Sequence, residues 1–341
     1  MKIGLETVVK ELPDKIVKDV DYNYLIPVIP KEMQKIFRFP KEKRRMENED
    51  AAEILAANVA KKALDKAGLK PSDIDYIIAS NTGGKYTLPM VGCYIHHKVG
   101  FERETPVLNI QNCCSSFVDG CWIAQNLIMG GLYKRILVVT VSAWETSGGA
   151  GRIDKTDFTG SLMGDGAGAG IVSTQNLKCE FVSYYNRTFG EIYDTVAEKI
   201  MGPKYPEMEE AKLQPPISNF LFTTKEFLEW WQQNWDSFGI DSINGSLRNA
   251  KMKLSDIDTV IFHQPFDMLY DHWIEGAAKA GLSKDKWIHT WDKYGNLSNS
   301  VIPVNLAEFW EEGKLKKNSI IVLLTLGAGF HMPTMIVRWL A

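Results

Sequence analysis

The residues of this chain with the most chemistry in their setting lie in Asn112-Cys113-Cys114-Ser115-Ser116-Phe117, between an apolar run and a long amphipathic stretch. A cysteine at a helix N-terminus meets partial positive charge and free backbone N–H groups, so it leans toward thiolate. The thiolate is the nucleophilic form, and the same N–H groups can stabilise an oxyanion on a bound acyl group. Cys114 is therefore the candidate covalent nucleophile. A pair of buried, inert cysteines packing the helix is the other reading that its position allows.

An acyl-carrying cysteine needs groups that handle protons and developing charge. In Phe262-His263-Gln264-Pro265-Phe266, the apolar run Asp258–Phe262 delivers His263 to the carboxyl end of a strand, where α/β sites usually lie. Lys293-Tyr294-Gly295-Asn296-Leu297-Ser298-Asn299-Ser300 reads as a tight polar loop before a helix from about Val301. Asn296 can donate two amide hydrogen bonds to a carbonyl or carboxylate. Taken singly, His263 also reads as a satisfied core histidine and Asn296 as a turn residue. Gly327-Ala328-Gly329-Phe330 follows the last central strand, where small residues let backbone approach a ligand and offer a second oxyanion donor. Gly164-Asp165-Gly166-Ala167-Gly168-Ala169-Gly170 precedes a strand at Ile171-Val172-Ser173, the reverse of a dinucleotide fingerprint, so nucleotide binding is disfavoured.

The elements that must position these groups repeat. Leu69-Lys70-Pro71-Ser72-Asp73-Ile74-Asp75-Tyr76-Ile77-Ile78 returns as Met252-Lys253-Leu254-Ser255-Asp256-Ile257-Asp258-Thr259-Val260-Ile261, each copy after a helical stretch (49–67 and 224–250). In each, Ser-Asp reads as a turn or cap leading into a buried strand. The continuous apolar runs Arg135–Thr140 and Ser319–Thr325 form a second echo, as expected of central strands covered on both faces. Two copies in matching order predict a duplicated α/β protein with layered sheets. Its halves are residues 1–177, with the nucleophile, and 224–341, with His263 and Asn296. The segment 178–223, rich in Tyr, Pro and Glu, connects them near a substrate entrance or as a plain surface excursion. The basic run Lys41, Lys43, Arg44 and Arg45 reads as a solvated face or as an anion-binding entrance. Trp144, Phe158, Trp230 and Trp231 could line an acyl pocket or simply pack.

Composition excludes several classes. A net charge of −3 gives no reason to expect nucleic acid or an anionic membrane as a partner. The N-terminal residues have no signal-peptide layout, and no uncharged apolar run reaches the length of a membrane span. With five cysteines, an odd number and too few to staple a chain this size, a reducing cytoplasm is expected. Five cysteines with no Cys-x-x-Cys argue against a disulfide framework and against a metal site.

Together, Cys114-Ser115-Ser116-Phe117, Gly164-Asp165-Gly166-Ala167-Gly168-Ala169, His263-Gln264-Pro265, Tyr294-Gly295-Asn296 and Gly327-Ala328-Gly329-Phe330 resemble, in order, the motifs of the β-ketoacyl-acyl carrier protein synthase III family. The resemblance runs across essentially the whole chain. It implies a duplicated thiolase-like fold, layered α-β-α-β-α with two mixed five-stranded sheets. By the same resemblance Cys114 accepts an acyl group from acyl-CoA or a carrier protein. His263 and Asn296 bind a malonyl or β-keto thioester and assist loss of carbon dioxide, with His263 neutral and its Nε2–H donating. The oxyanion hole falls on the backbone N–H groups of Cys114 and Ala328, and substrate contacts on Arg38, Leu88, Gly327 and Gly329. No permanently bound cofactor is implied; coenzyme A or phosphopantetheine thioesters are substrates. Leu88 corresponds to a side chain pushed into the partner's acyl pocket, implying a homodimer or a heterodimer with a related chain. Cys113 stands where the family has a small residue and is assigned to packing. Departures from the pattern are His263-Gln264-Pro265-Phe266 for the usual His-Gln-Ala-Asn, Met268 for a basic residue, and Gln34 near the usual entrance tryptophan. These resemble the family's specialised-metabolism branch, so a secondary-metabolite condensation is expected. Acyl transfer to an oxygen or nitrogen nucleophile, and a role as the partner subunit of a heterodimeric synthase, are the alternatives.

Overall fold

The string that occurs twice in the sequence folds the same way twice. The computed structural model describes residues 1–18, 38–86, 88–144, 162–193, 196–198, 218–220, 225–265 and 267–341. In the first copy, helix α1 (Ala51–Ala67) ends at left-handed Gly68, and Asp73 accepts from the Lys70 N–H at 2.7 Å. The chain then enters strand β4 (Tyr76–Gly83). In the second, the long helix Lys225–Ala250 is followed by Asp256 accepting from the Lys253 N–H at 2.8 Å, and then strand Thr259–Phe262. The aspartate two residues further on clamps the neighbouring strand in both: Asp75 accepts from the N–H groups of Lys134 and Arg135, and Asp258 from that of Ile320. The two sequence echoes are thus adjacent strands.

The N-terminal strands are β1 (Gly4–Glu11), β4, β5 (Val107–Asn109), β6 (Ile136–Ala143) and β7 (Gly166–Ser173), hydrogen-bonded in the order β5-β4-β6-β7-β1. The C-terminal strands β8 (Cys179–Tyr185), β11 (Thr259–Phe262), β12 (Trp287–Ile288), β13 (Ile320–Leu324) and β14 (Thr334–Trp339) follow the matching order β12-β11-β13-β14-β8. Both halves carry two parallel pairings followed by two antiparallel ones. The halves are not separate sheets. Gly4 and Leu5 pair with Glu180 and Cys179, which joins all ten strands edge to edge. The segment expected to open the connection therefore begins as β8, in the position that β1 holds in the first half. Two small ribbons, β2 (Lys15–Lys18) with β3 (Glu42–Arg45) and β9 (Val196–Glu198) with β10 (Ser218–Phe220), lie outside this sheet.

Side-chain alternation builds the layers. In β4, Ile77 packs with Leu55 and Val59 of α1, whereas Ile78 faces the centre with Phe117 and Val118 of α3 (Ser116–Met129). In β13, Val322 packs with Ile243 and Leu247 of α4 (Lys225–Ala250) and Trp273 of α5 (Asp267–Lys279), whereas Ile321 and Leu323 face Ile302 and Leu306 of α6 (Val301–Glu311). (The short α2, Gly92–Val99, lies beside α1.) Strands apolar on both faces must be covered twice, which is why these runs show no polar alternation. The result is α1 outside, the first half-sheet, α3 and α6 in the middle, the second half-sheet, then α4 and α5.

The glycine-rich run does not precede a strand; from Gly166 it is the strand β7, wholly buried. A Cβ at Gly168 would stand 2.4 Å from Pro303 Cγ of α6, so the missing side chain lets the central helix sit down on the sheet. Nor does the basic run face solvent as a unit. Lys43 and Arg45 are buried, and Arg45 pairs with Asp165 at 3.4 Å. Arg44 reaches the carbonyls of Pro13 and Asp14, and only Lys41, paired with Asp292 at 2.7 Å, is on the surface. Asp165 also accepts from the N–H groups of Met46 and Trp144. Removing it takes away a buried carboxylate beside the Arg45 guanidinium and the acceptor of two backbone N–H groups, so Asp165→Ala is expected to lower unfolding free energy by about 3–5 kcal/mol. Urea denaturation of the variant beside Asp165→Asn checks this.

Candidate active site

Three loops meet where the central helices begin. The first is the turn Cys113–Ser115 that leads into α3. Cys113 holds a left-handed backbone, φ 46°, which few non-glycine residues adopt, and this sharp entry sets the orientation of Cys114. Ser116 Oγ accepts from the Asn112 N–H and donates to the Cys113 carbonyl, closing the turn. The second loop, Asn296–Ser300, enters α6. Asn296 is fixed through its backbone by the Leu162 carbonyl and the Gly164 N–H, each at 2.8 Å. That is the contribution of the start of the glycine-rich motif to the site. Asn299 bridges from this loop to Ser80 and Thr82 of β4, so the loop of one half is anchored on the strand of the other. The third is the end of β11, where the His263 N–H donates to the Leu324 carbonyl of β13.

A continuous chain of polar contacts joins the three predicted groups. Cys114 Sγ lies 3.4 Å from Ser298 Oγ. The Ser298 N–H donates to Asn296 Oδ1 at 2.7 Å, and Asn296 Oδ1 lies 3.1 Å from His263 Nε2. Asn296 Nδ2 donates to the Pro265 carbonyl at 3.3 Å. With one amide end bound to a backbone donor and the other to a backbone acceptor, the orientation of Asn296 is set. His263 must then carry its proton on Nε2 to meet Oδ1. His263 is 2% exposed, and burial pushes its pKa down to about 4, so the ring is neutral near pH 7. The backbone of Leu326 favours the protonated ring, but Nδ1 makes no hydrogen bond of normal geometry, and the desolvation effect dominates.

Cys114 departs from expectation in one respect. Burial, with the neighbouring Cys113 thiol second, pushes its pKa up to about 12, against the opposing pull of Ser298 and its own N–H. The partial charge of a helix end does not offset the loss of water around a thiolate. At rest the group is a thiol, not a thiolate. The rate of iodoacetamide alkylation at Cys114 is therefore expected to climb with pH past 9 without levelling. A plateau below pH 8 in a stopped-time mass assay would contradict it.

Ser298 was legible only as one polar residue of a loop. Its left-handed backbone, φ 48°, turns the side chain to the thiol while its N–H holds Asn296. The Asn-x-Ser spacing was the available signal. The remaining predicted contacts divide between the surface, which holds Arg38 and Leu88, and the turn facing the nucleophile, which holds Gly327–Gly329. Arg38 is exposed and paired with Asp271 at 2.6 Å. Leu88, beside a cis Leu88-Pro89 bond, is 82% exposed. Gly327, Ala328 and Gly329 form the turn after β13, facing the nucleophile turn closely enough that a Cβ on Gly327 would stand 2.8 Å from the Asn112 carbonyl oxygen. Trp144 donates its backbone N–H to Asp165, and Trp230 packs edge-on to Phe189, Phe238 and Phe330. Gln34, Phe158 and Phe266, and the side chains of Trp231 and Met268, lie outside the described residues. Among the described residues no cluster could hold a metal ion, and no helix is long and apolar enough to cross a membrane.

Layered halves with a cysteine turn between them define a thiolase-type protein, and comparison with known proteins agrees. Residues 108–189 match the family model for 3-oxoacyl-[acyl-carrier-protein] synthase III, and residues 247–339 match the model for its C-terminal region. The chain is 28% identical over 306 residues to the β-ketoacyl-[acyl-carrier-protein] synthase III of Clostridium tetani, covering 88% of this chain and 87% of that one. With the synthase III of Campylobacter jejuni it shares 26% over 340 residues, 99% of this chain and 98% of the other. Among solved structures, the synthase III of Aquifex aeolicus superposes with a TM-score of 0.79 at 22% identity, covering 99% of this chain and all of that one. Cerulenin-bound OleA of Xanthomonas campestris superposes with 0.81 at 14%, covering 99% and 97%. At those identities the superpositions speak for the fold. The chain belongs to the 3-oxoacyl-acyl carrier protein synthase III family of the thiolase superfamily. It is a condensing enzyme, a transferase of that type.

Proposed function

We propose that Cys114 takes an acyl group from a coenzyme A or carrier-protein thioester. The acyl-enzyme then undergoes a decarboxylative Claisen condensation with a malonyl or β-keto thioester. The observation that carries this reading is the contact chain from Cys114 through Ser298 and Asn296 to a neutral, Nε2-protonated His263. In the first half-reaction the thiol loses its proton, Sγ bonds to the acyl carbon and the donor thiol leaves. The N–H groups of Cys114 and Ala328 receive the transient oxyanion. In the second, the bound thioester carbonyl accepts from His263 Nε2–H and Asn296 Nδ2–H, displacing the resting bonds that those groups make. The electron pair of the breaking carboxylate C–C bond becomes an enolate held by those donors, carbon dioxide leaves, and the enolate carbon attacks the acyl-cysteine. Cys114 leaves as the thiolate and is reprotonated.

Acyl transfer to an oxygen or nitrogen nucleophile would need His263 as a base. Its Nε2 faces the site already carrying the proton, and this favours condensation. The Pro265-Phe266 departure after His263-Gln264 supports a secondary-metabolite product over a housekeeping fatty acid. The exposed Leu88 loop supports a dimer, with itself or a related chain, in which that side chain is covered. Arg38 and the Gly327–Gly329 turn are the proposed contacts of the thioester substrate. Intact mass after exposure to a panel of acyl-CoAs, followed by malonyl-CoA labelled in its free carboxyl, tests the proposal. An adduct on Cys114 that disappears with matched release of labelled carbon dioxide is expected. Turnover to an alcohol or amine acceptor without that release would replace condensation by simple transfer.

A further inference from the structure

Behind the nucleophile lies a polar cluster that the mechanism above leaves unused: Asn112, Ser115, Asp119, Tyr184 and His331. Asp119, in the first turn of α3 and 4% exposed, accepts from Tyr184 Oη at 2.8 Å on one oxygen. Its other oxygen accepts from Asn112 Nδ2 at 2.8 Å and Ser115 Oγ at 3.0 Å. Tyr184, Asn112 and Ser115 thus converge on this one carboxyl group at the start of the helix. His331 reaches this cluster from the other half of the protein. Its Nε2 lies 2.6 Å from Ser115 Oγ and 3.1 Å from the Asn112 carbonyl oxygen. A carbonyl offers only lone pairs, so Nε2 carries the proton. Nε2–H then donates to Ser115 Oγ, whose own hydroxyl proton has two acceptors in reach, the Asn112 carbonyl at 2.8 Å and Asp119 at 3.0 Å.

The ring also fills the space that Gly327 leaves. A Cβ on Gly327 would stand 2.4 Å from His331 Cε1 and 2.5 Å from Nε2. The Gly327 N–H donates to the His331 carbonyl at 2.9 Å, and the Phe330 N–H to the Gly327 carbonyl at 3.0 Å. Backbone and ring of His331 thus grip both ends of the turn that carries Ala328, while the ring's outer nitrogen grips the turn that carries Cys114.

We infer that His331 is a positioning residue that locks the Gly327–Gly329 turn to the Asn112–Ser115 turn, so that the N–H groups of Cys114 and Ala328 converge on one oxygen. The inference rests on the proposed acyl-cysteine chemistry, and it names what sets the spacing of the two donors. Without the brace each turn keeps its own internal bonds, but their separation is no longer fixed. A shift of about 1 Å in such a donor costs on the order of 100-fold in rate.

The test compares two reactions of the same thiol. Acetylation by p-nitrophenyl acetate forms the Sγ–carbonyl bond, passes through an oxyanion, and expels p-nitrophenolate while the thiol proton goes to solvent. Alkylation by iodoacetamide displaces iodide without any oxyanion. In His331→Phe, which keeps a ring but no donor, the acetylation rate is expected to fall about 30- to 100-fold while alkylation stays within about 2-fold. His331→Gln, whose amide can donate to the same acceptors, is expected to recover acetylation to within about 5-fold of wild type. Ser115→Ala cuts the brace from the other side and should lower acetylation about 10-fold, with the double variant no worse than His331→Phe alone. Acetylation of His331→Phe at the wild-type rate, or equal losses in both reactions, would overturn the inference. A wild-type protein that alkylates but does not acetylate at Cys114 would instead overturn the acyl-cysteine reading beneath it.

Discussion

Cys114→Ala is expected to abolish covalent acylation and lower condensation by at least about 10⁴-fold, yet to keep releasing carbon dioxide from a malonyl thioester. The partition follows from the contact chain. Acyl loading needs the Cys114 Sγ atom, the thiol in contact with Ser298. Decarboxylation needs the donors at the far end, His263 and Asn296, whose bonds to each other and to the Ser298 and Pro265 backbone do not pass through the cysteine side chain. Truncation to alanine removes one partner of the 3.4 Å contact with Ser298 and leaves that serine's backbone bond in place. Intact mass with an acyl-CoA reads the first activity, and trapping of labelled carbon dioxide reads the second. Loss of both in a folded variant would mean that the two half-reactions are not separable as proposed. Retained acylation would move the nucleophile elsewhere.

His263→Ala is expected to give the mirror image: acylation of Cys114 within about 10-fold of wild type, with decarboxylation and condensation down about 10²–10³-fold. The donor it removes acts on an enolate that exists only in the second step. The histidine also sets the pH behaviour. Its folded pKa, pushed down by burial to about 4, lies below the ordinary value of about 6.5. The neutral donor is therefore fully present at pH 7 and at pH 5.5, and is lost only as pH falls through about 4. The acid side of the decarboxylation profile should accordingly show no inflection between pH 6 and 7. An inflection there that vanishes in His263→Ala would mean that the ring is better solvated than its surroundings indicate. Asn296→Ala should resemble His263→Ala in direction, since both donors meet the same carbonyl.

Much of this protein was legible before folding. The repeated helix, Ser-Asp turn and Ile-Asp strand entry disclose the duplication because local chemistry drives each piece. Asp73 and Asp256 cap over three residues, and the strand runs are apolar on both faces because both faces are covered. Cys114, His263 and Asn296 could be picked out because each stands at an element boundary, and such boundaries are written in turn residues and apolar periodicity.

What the chain order could not disclose depends on groups far apart in it. Ser298 becomes the neighbour of a thiol 184 positions away only when the loop of one half is tied down on the strands of the other. The protonation of Cys114 went against the local expectation for the same reason. A helix N-terminus is a short-range feature visible in sequence, whereas desolvation is the summed effect of everything packed around the site. The basic run at Lys41–Arg45 likewise reads as surface until Asp165, 120 positions from Arg45, is placed beside it. The brace from His331 also exists only because Gly327 leaves room for the ring and Ser115 waits across the interface between halves. Sequence determined the parts of this enzyme, since propensity and capping act over a few residues. Tertiary packing decided their electrostatics and their spacing, since burial and long-range hydrogen bonds have no local signature.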